Sequence, residues 1–169
     1  MTPKVLFLAL IALLCLAGCR HGALHNGVFE KNDVSYHLGP VPPSFEQVKL
    51  YGVDVAFNGR HSPHVIAVNS TCEEHGDPPL NILTHHLLMG FTDRQLLSEE
   101  EKMLDGRAVI RSHYVARLDG VPEELLLLVM KKNTCVFDFT YLSPQGRLNE
   151  FLGEFEALVA GFHTLETPQ

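Results

Sequence analysis

The sequence predicts an α+β fold, in which a single antiparallel sheet of about six to seven strands is packed by two main helices. Several segments alternate apolar and polar residues, which is the periodicity of a half-buried strand. Turn signals separate these segments by only a few residues, and such short connections favour antiparallel pairing. Two further segments place apolar residues at helical spacing, which indicates helices that cover the sheet.

The N-terminal residues have the pattern of a lipoprotein signal. Lys4 precedes an apolar run over residues 5–16, which is too short to span a bilayer as a helix but long enough for a secretion signal. The Leu-Ala-Gly-Cys motif at 16–19 then resembles a bacterial lipobox. The resemblance implies cleavage between Gly18 and Cys19 and acylation of Cys19, which together give a stable membrane anchor. An ordinary cleaved signal or an uncleaved helix is the alternative.

These features divide the chain into a signal peptide at 1–18, a flexible tether at 19–31 and one α+β domain at 32–165. The residue after the cysteine is Arg20 rather than Asp. In enteric-type lipoprotein sorting, the absence of Asp at this position resembles a signal for export to the outer membrane. We therefore expect a periplasm-facing protein of the outer membrane. Without residues 1–18 the chain has 12 basic and 20 acidic residues, since only Lys4 is lost. This acidic balance argues against nucleic acid as a partner.

Cys72 and Cys135 are the cysteines that remain besides Cys19 after cleavage. The oxidising compartment favours a disulfide between them. A bond that closes so long a loop would stabilise the domain by about 4 kcal/mol on the chain-entropy model. Two buried free thiols and a Cys/His metal site are the alternatives.

The first half of the domain predicts three strands and a helix. Residues 34–38 form the first strand, and residues 44–50 are expected to make a short turn of helix. Residues 51–57 alternate, and an Asn-Gly turn leads to the returning strand at 64–70. An Asp-Pro start precedes a helix over 80–91 that is apolar on two sides, which indicates burial or a surface for a partner.

The second half predicts three further strands and a closing helix. Residues 92–101 are polar and are expected to be irregular, whereas residues 107–118 alternate cleanly. The unbroken apolar run within 124–131 predicts a strand buried on both faces, and residues 135–141 alternate again. Residues 148–162 form the clearest amphipathic helix, which should lie on the sheet.

The predicted order β-β-β-α-β-β-β-α resembles the Mog1/PsbP-like fold. The similarity covers about residues 33–163. It rests on residues 34–36, the hairpin ending at 68–72, the helix 80–91, the turn 104–107 and the strand 135–139. More narrowly, the chain resembles uncharacterised bacterial lipoproteins of similar size. Members of the fold are mainly accessory or binding proteins, which contact a GTPase in one branch and a photosystem in another. The resemblance therefore implies a non-enzymatic domain with an envelope protein as its partner.

The sequence contains no motif for catalysis or for a cofactor. It lacks a G-x-S-x-G elbow, a glycine-rich phosphate loop and a C-x-x-C pair. We therefore predict that the protein is not an enzyme and needs no cofactor. Catalysis by Cys72 or Cys135 with a histidine is an alternative. A carrier of a small hydrophobic ligand, held between sheet and helix, is another.

A metal-binding protein or metal-dependent enzyme is a further alternative, since imidazole and thiolate suit zinc or copper. The weak candidate ligands are His61, His64, His75, His85 and His86. His85 and His86 are adjacent, so on a helix they would point about 100° apart. Surface or boundary histidines are the simpler interpretation.

The strand at 107–118 is predicted to carry a basic face formed by Arg107, Arg111, His113 and Arg117. Such a face could bind a carboxylate-rich partner or an anionic lipid headgroup. A solvated sheet face with charges paired to their neighbours is the alternative. We expect charge reversal at Arg111 to leave folding intact.

Overall fold

The computed structural model describes residues 23–31, 34–72 and 77–165. Within these ranges the protein contains eleven strands, two α-helices and one short 3-10 helix. The strands form a seven-stranded sheet and a four-stranded sheet. The prediction of an α+β fold with a single antiparallel sheet is therefore wrong, because the described residues are mostly strand and divide between two sheets.

The elements follow one another along the chain in two groups. The first group is β1 (Ala23–His25), β2 (Val28–Lys31), β3 (Val34–His37), β4 (Phe45–Val48), β5 (Val55–Gly59), β6 (Val65–Thr71) and α1 (Leu80–Leu87). The second group is β7 (Phe91–Leu104), β8 (Arg107–Leu118), β9 (Val121–Lys132), β10 (Cys135–Pro144), a 3-10 helix (Leu148–Glu150), α2 (Leu152–Ala160) and β11 (His163–Thr164).

The seven-stranded sheet has the order β4-β5-β6-β10-β9-β8-β7, and its neighbouring strands are antiparallel. β4 to β6 form one meander and β7 to β10 form another, and the two are joined by the pairing of β6 with β10. β9 lies inside the sheet, and residues 125–130 are at most 6% exposed. This burial confirms the prediction that the apolar run forms a strand covered on both faces.

The four-stranded sheet has the order β1-β2-β3-β11, and its pairs are also antiparallel. It contains residues 23–31, which the sequence predicted as part of a flexible tether. Phe29 of β2 is 1% exposed and its ring centroid is 4.9 Å from that of Tyr36 in β3. The tether prediction is therefore wrong for these residues, because their apolar side chains join the core. Residues 19–22 lie outside the described part of the chain.

The main core lies between one face of the large sheet, α2 and the small sheet. Phe162, which follows α2, contacts the rings of Tyr36, Phe137 and Phe139 at centroid distances of 5.0–5.6 Å. Phe155 of α2 is also buried. The predicted helix thus lies on the sheet. The space between sheet and helix is filled by packed rings, which leaves the hydrophobic-carrier hypothesis without support at this position.

The second face of the large sheet is covered in part by α1, which contacts β8 and β9. Leu88 packs there with Leu125, Leu127 and Tyr114. The helix ends at Leu87 rather than at 91 as predicted, because residues 88–90 turn and the next residue starts β7. Within the described ranges, no helix has both the length and the apolar character that crossing a membrane requires.

Three predicted segments have a different secondary structure. Residues 44–50 were expected to be helical, but β4 pairs with β5 and buries Phe45 against Phe151. The strand predicted from 51 begins only at Val55, since residues 51–54 turn. Residues 92–101 were expected to be irregular, but they belong to β7, which pairs with β8 along the sheet edge.

The two ends of the large sheet carry different features. At one end β6 finishes and β10 begins, with Cys72 and Cys135 side by side; we call it the disulfide end. β4, β7 and β9 also finish there. The opposite end carries the β5–β6 turn at 60–64, the β8–β9 turn at 119–120 and residues 145–147; we call it the cleft end.

Candidate functional site

A cleft of about 450 Å³ opens at the cleft end of the sheet. It lies between the β5–β6 turn, the segment before β4 and the 3-10 helix that precedes α2. Its walls are formed by Pro43, Ser44, Arg60, His61, Ser62, Arg147, Glu150 and Phe151. The cleft therefore joins residues that are far apart in the sequence.

The β5–β6 turn is held in a tight shape by its own backbone. Gly59 N donates a hydrogen bond to His64 O at 2.8 Å, and Arg60 N donates to Ser44 O at 3.0 Å. A Cβ atom on Gly59 would lie 2.5 Å from Ser62 O, so the turn has no room for a side chain there. This glycine fixes the path of the chain and so places Arg60 and Ser62 in the cleft wall.

His64 lies behind the cleft and is fully buried. Its Nε2 is 3.3 Å from Arg147 O and its Nδ1 is 3.0 Å from Ser62 Oγ. Since a carbonyl oxygen only accepts hydrogen bonds, Nε2 donates to Arg147 and Nδ1 accepts from Ser62. The ring also lies 4.9 Å from that of Phe151. His64 thus ties the turn to the segment before α2 and forms the support of the cleft.

The cleft rim carries two guanidinium groups, and each has a carboxylate beside it. Arg147 forms a bidentate pair with Glu150 at 2.6 and 2.7 Å, and these hydrogen bonds hold the pKa of Glu150 below its ordinary value. The Arg60 side chain is 52% exposed, with Nη1 4.0 Å from Glu46 and Nε 3.4 Å from Pro43 O. Most of its donors thus remain open to a ligand. Guanidinium groups of this kind bind carboxylates well.

Ser62 and His64 have the spacing of a nucleophile and its base. However, the imidazole is completely enclosed, so it has no path to the leaving group of a substrate. Both residues belong to one turn, in which the hydrogen bond fixes the backbone. The Ser62–His64 pair is therefore not arranged for covalent catalysis.

The structure pairs Cys72 with Cys135 in a disulfide across a sequence separation of 63. The bond joins the residue after β6 to the first residue of β10, which are neighbouring strands. It lies at the opposite end of the sheet from the cleft. Gly18 and Cys19, the predicted cleavage and lipidation residues, lie outside the described part of the chain.

The candidate metal ligands do not converge. His61 lines the cleft and His64 supports it, whereas His85 and His86 are exposed on α1. His75 lies outside the described residues. Over the ranges 23–31, 34–72 and 77–165, no group of three His, Cys, Asp or Glu side chains has an arrangement that could hold a metal ion.

The predicted basic face lies on β8, and three of its four members contact acidic groups. Arg111 is 3.1 Å from Glu100 on β7 and 3.3 Å from Glu156 on α2. The remaining contacts are His113 Nε2 to Glu124 Oε1 at 2.7 Å and Arg117 Nε to Asp93 Oδ2 at 3.3 Å. Arg107 is exposed and forms no ion pair within the described ranges. This pairing is typical of a solvated sheet face.

A polar cluster near the disulfide end was not predicted. The Asp54 side chain is 2% exposed and lies 3.1 Å from Lys31 Nζ; it also accepts hydrogen bonds from Ser70 and Tyr36. Burial and the charge of Asp54 raise the pKa of the Tyr36 hydroxyl above its ordinary value. Burial and Asp54 also raise the pKa of Asp138 to about 7. The cluster joins the small sheet to the large one.

The cleft residues were also missed, except for His61 and His64 as weak metal candidates. The Asn-Gly turn signal did predict the position of the β5–β6 turn. No local pattern marks Arg147 or Glu150 as its neighbours, because they lie more than 80 residues further along the chain. Only the folded topology joins them.

Comparisons with known proteins identify the fold. No protein-family model and no curated protein sequence matches the chain. The solution structure of cyanobacterial PsbP from Synechocystis is similar, with 14% identity and a TM-score of 0.57 over 89% of this chain and 99% of that one. LpqN of Mycobacterium tuberculosis, involved in cell envelope biogenesis, matches with 11% identity and a TM-score of 0.58 over 87% and 90%.

A third solved structure, a protein of unknown function from Pseudomonas aeruginosa described as a putative regulator, has 14% identity and a TM-score of 0.51. The match covers 88% of this chain and 99% of the Pseudomonas protein. These identities are low, so the similarities show the fold and no more. The fold is PsbP/Mog1-like, as the order of predicted elements indicated.

Proposed function

We propose that the protein is a lipoprotein of the bacterial cell envelope, anchored through Cys19, whose domain binds another envelope component at the cleft. The observation that carries the proposal is the position of Ala23. This residue starts β1 and pairs with Glu30, beside Lys31. Lys31 Nζ lies 3.1 Å from Asp54 at the start of β5. The chain therefore enters the domain at the disulfide end, opposite the cleft.

The short connection sets the orientation of an anchored domain. Three residues separate Cys19 from Ala23 along the chain, and the four Cα–Cα steps between the two span at most about 14 Å when extended. β10 has ten residues and runs between the two ends of the sheet, a length of roughly 33 Å. Lipidation of Cys19 would thus hold the disulfide end at the membrane and direct the cleft away from it, toward soluble or membrane-bound partners.

The structural neighbours support an accessory role in the envelope. LpqN is described as involved in cell envelope biogenesis, and cyanobacterial PsbP shares the fold. The cleft provides donors from the exposed Arg60 guanidinium, which suit an acidic side chain or a C-terminal carboxylate of a protein partner. The absence of Asp after Cys19 supports the outer membrane.

Two experiments test the proposal in the cells of origin. Cys19→Ala should move the protein out of the membrane fraction, whereas Cys15→Ala, the same substitution within the predicted signal peptide, should not; retention of the Cys19→Ala protein would contradict the anchor. A photo-crosslinking amino acid at position 61 should capture one envelope protein, identified by mass spectrometry.

The same amino acid at exposed Gln47, outside the cleft, serves as the matched control. Arg60→Glu should abolish capture from position 61. Equal capture from both positions, or capture that survives Arg60→Glu, would contradict a role of the cleft.

A further inference from the structure

The loop between β4 and β5 exposes apolar side chains at the disulfide end. Tyr51 is fully exposed, with a relative accessibility of 106%, and Leu50 is 46% exposed. Val53 N donates to Leu50 O at 3.4 Å, and Gly52 has a φ of +75°, so the loop forms a turn with both side chains at its tip. Together they place an aromatic and an aliphatic side chain side by side on one exposed loop tip.

This loop lies beside the point where the chain enters the domain. Tyr51 precedes Asp54 by three residues, a distance of at most about 11 Å along the chain. Asp54 contacts Lys31, and Lys31 follows Glu30, the partner of Ala23. The segment that would lead to the acylated Cys19 thus ends at the same end of the sheet as the loop.

Basic side chains gather at the end of the sheet that carries this loop, together with the carboxylates that pair with most of them. All five lysines that follow Cys19 lie near the disulfide end: Lys31, Lys49, Lys102, Lys131 and Lys132. Four of them contact carboxylates. Lys49, next to Leu50, is exposed and has no ion pair within the described ranges, and the same holds for Arg107. Their charges are available to headgroup phosphates.

We infer that the Lys49-Leu50-Tyr51 loop contacts the bilayer, with Leu50 and Tyr51 at the boundary between headgroups and acyl chains and Lys49 at the phosphates. Tyrosine side chains favour this boundary, since the ring is apolar and the hydroxyl remains hydrated. The inference rests on the proposed anchor, because a loop of this size binds membranes weakly unless an acyl chain holds it there. The loop would act as a second contact that fixes the orientation of the domain.

The chain contains no tryptophan, so one substitution introduces a unique fluorescent reporter. We would purify lipidated Tyr51→Trp protein from membranes and reconstitute it in vesicles of phosphatidylethanolamine and phosphatidylglycerol, with and without acyl-brominated lipid. Val121→Trp is the matched control, because Val121 is 54% exposed at the cleft end. The tryptophan of the Tyr51→Trp protein should show blue-shifted emission and a roughly twofold or greater loss of intensity with brominated lipid. The tryptophan of the Val121→Trp protein should show neither.

Flotation of the vesicles and the mass of the Cys19 peptide test the anchor separately. A Tyr51→Trp protein that is lipidated and floats, but whose tryptophan emits as in water or is not quenched by brominated lipid, would overturn the inference and leave the anchor intact. A protein without lipid on Cys19 would contradict the proposed function; quenching of the Tyr51→Trp reporter would then still support the loop contact. Lys49→Glu should reduce quenching of this reporter, and unchanged quenching would overturn the role of Lys49.

Discussion

Gly39 and Gly161 pack backbone against backbone. A Cβ atom on Gly161 would lie 2.3 Å from the Cα atom of Gly39, and one on Gly39 would lie 2.1 Å from Ala157 O. Gly39 N also donates a hydrogen bond to Leu158 O at 2.8 Å. Since Gly39 follows β3 and Gly161 ends α2, this contact joins the small sheet directly to the helix. A side chain at either position would force the two elements apart.

Gly161→Ala should therefore lower the free energy of unfolding by about 2–3 kcal/mol, because overpacking a rigid contact has costs of this order. Its φ is −85°, which alanine adopts without strain, so the loss would report the contact alone. Gly153→Ala is the matched control: it also lies in α2, and nothing lies within 4 Å of its added Cβ. It should be neutral or stabilise by up to about 1 kcal/mol. Chemical denaturation measures both, and equal effects would contradict the prediction.

The disulfide should contribute a large part of the stability. It closes a loop with a sequence separation of 63, for which the chain-entropy model gives about 4 kcal/mol. Urea denaturation of the wild-type protein with and without reductant should show this difference. The double variant Cys72→Ala/Cys135→Ala should unfold at the midpoint of the reduced wild type and be insensitive to reductant. A midpoint unchanged by reduction would show that the bond contributes nothing.

His64 and His61 should differ sharply in their effect on stability. His64→Ala removes a fully buried ring and two hydrogen bonds, so we expect a loss of about 3 kcal/mol. His61 is exposed at the cleft rim, and His61→Ala should change stability by less than about 0.5 kcal/mol. Thermal unfolding of the two variants measures the difference. Similar melting temperatures would mean that His64 does not support the cleft as described.

The central strands could be predicted from the sequence because burial fixes their pattern. β8 alternates since one face meets the sheet core and the other meets charged neighbours, and β9 is continuously apolar since both faces are covered. β7 could not be predicted in this way. It lies at the sheet edge with most of its side chains exposed, and it contains two register shifts. Charged residues such as Glu101 favour such an edge, because they discourage pairing with another chain, but they remove the alternation.

The small sheet and the cleft depend on contacts between distant parts of the chain. β11 pairs His163 with His37 across more than a hundred residues, and no local pattern in a two-residue strand predicts this. The same holds for Arg60 and Arg147, which line one cleft although they are distant in the sequence, with His64 hydrogen-bonded to the Arg147 backbone. The disulfide was predictable, since Cys72 and Cys135 are the two cysteines that follow the predicted lipobox.

Asp138 should make the stability of the protein depend on pH. It lies in β10 opposite Val129 and Asn69, and burial together with the charge of Asp54 raises its pKa from 3.8 to about 7. The unfolded chain releases this proton near pH 4, whereas the folded protein keeps it until about pH 7. The free energy of unfolding should therefore fall as the pH rises through this window, by an amount on the order of 3 kcal/mol.

Asp138→Asn should remove this dependence, because an amide in the same place has no proton to lose. The variant should be more stable than the wild type at pH 8 and close to it at pH 4, as urea denaturation across that range would show. Asp119→Asn, in the β8–β9 turn at the opposite end of the sheet, controls for the loss of one negative charge; its φ of +51° also suits asparagine. If wild type and Asp138→Asn had parallel stability profiles between pH 4 and 8, Asp138 would not be the group that retains its proton on folding.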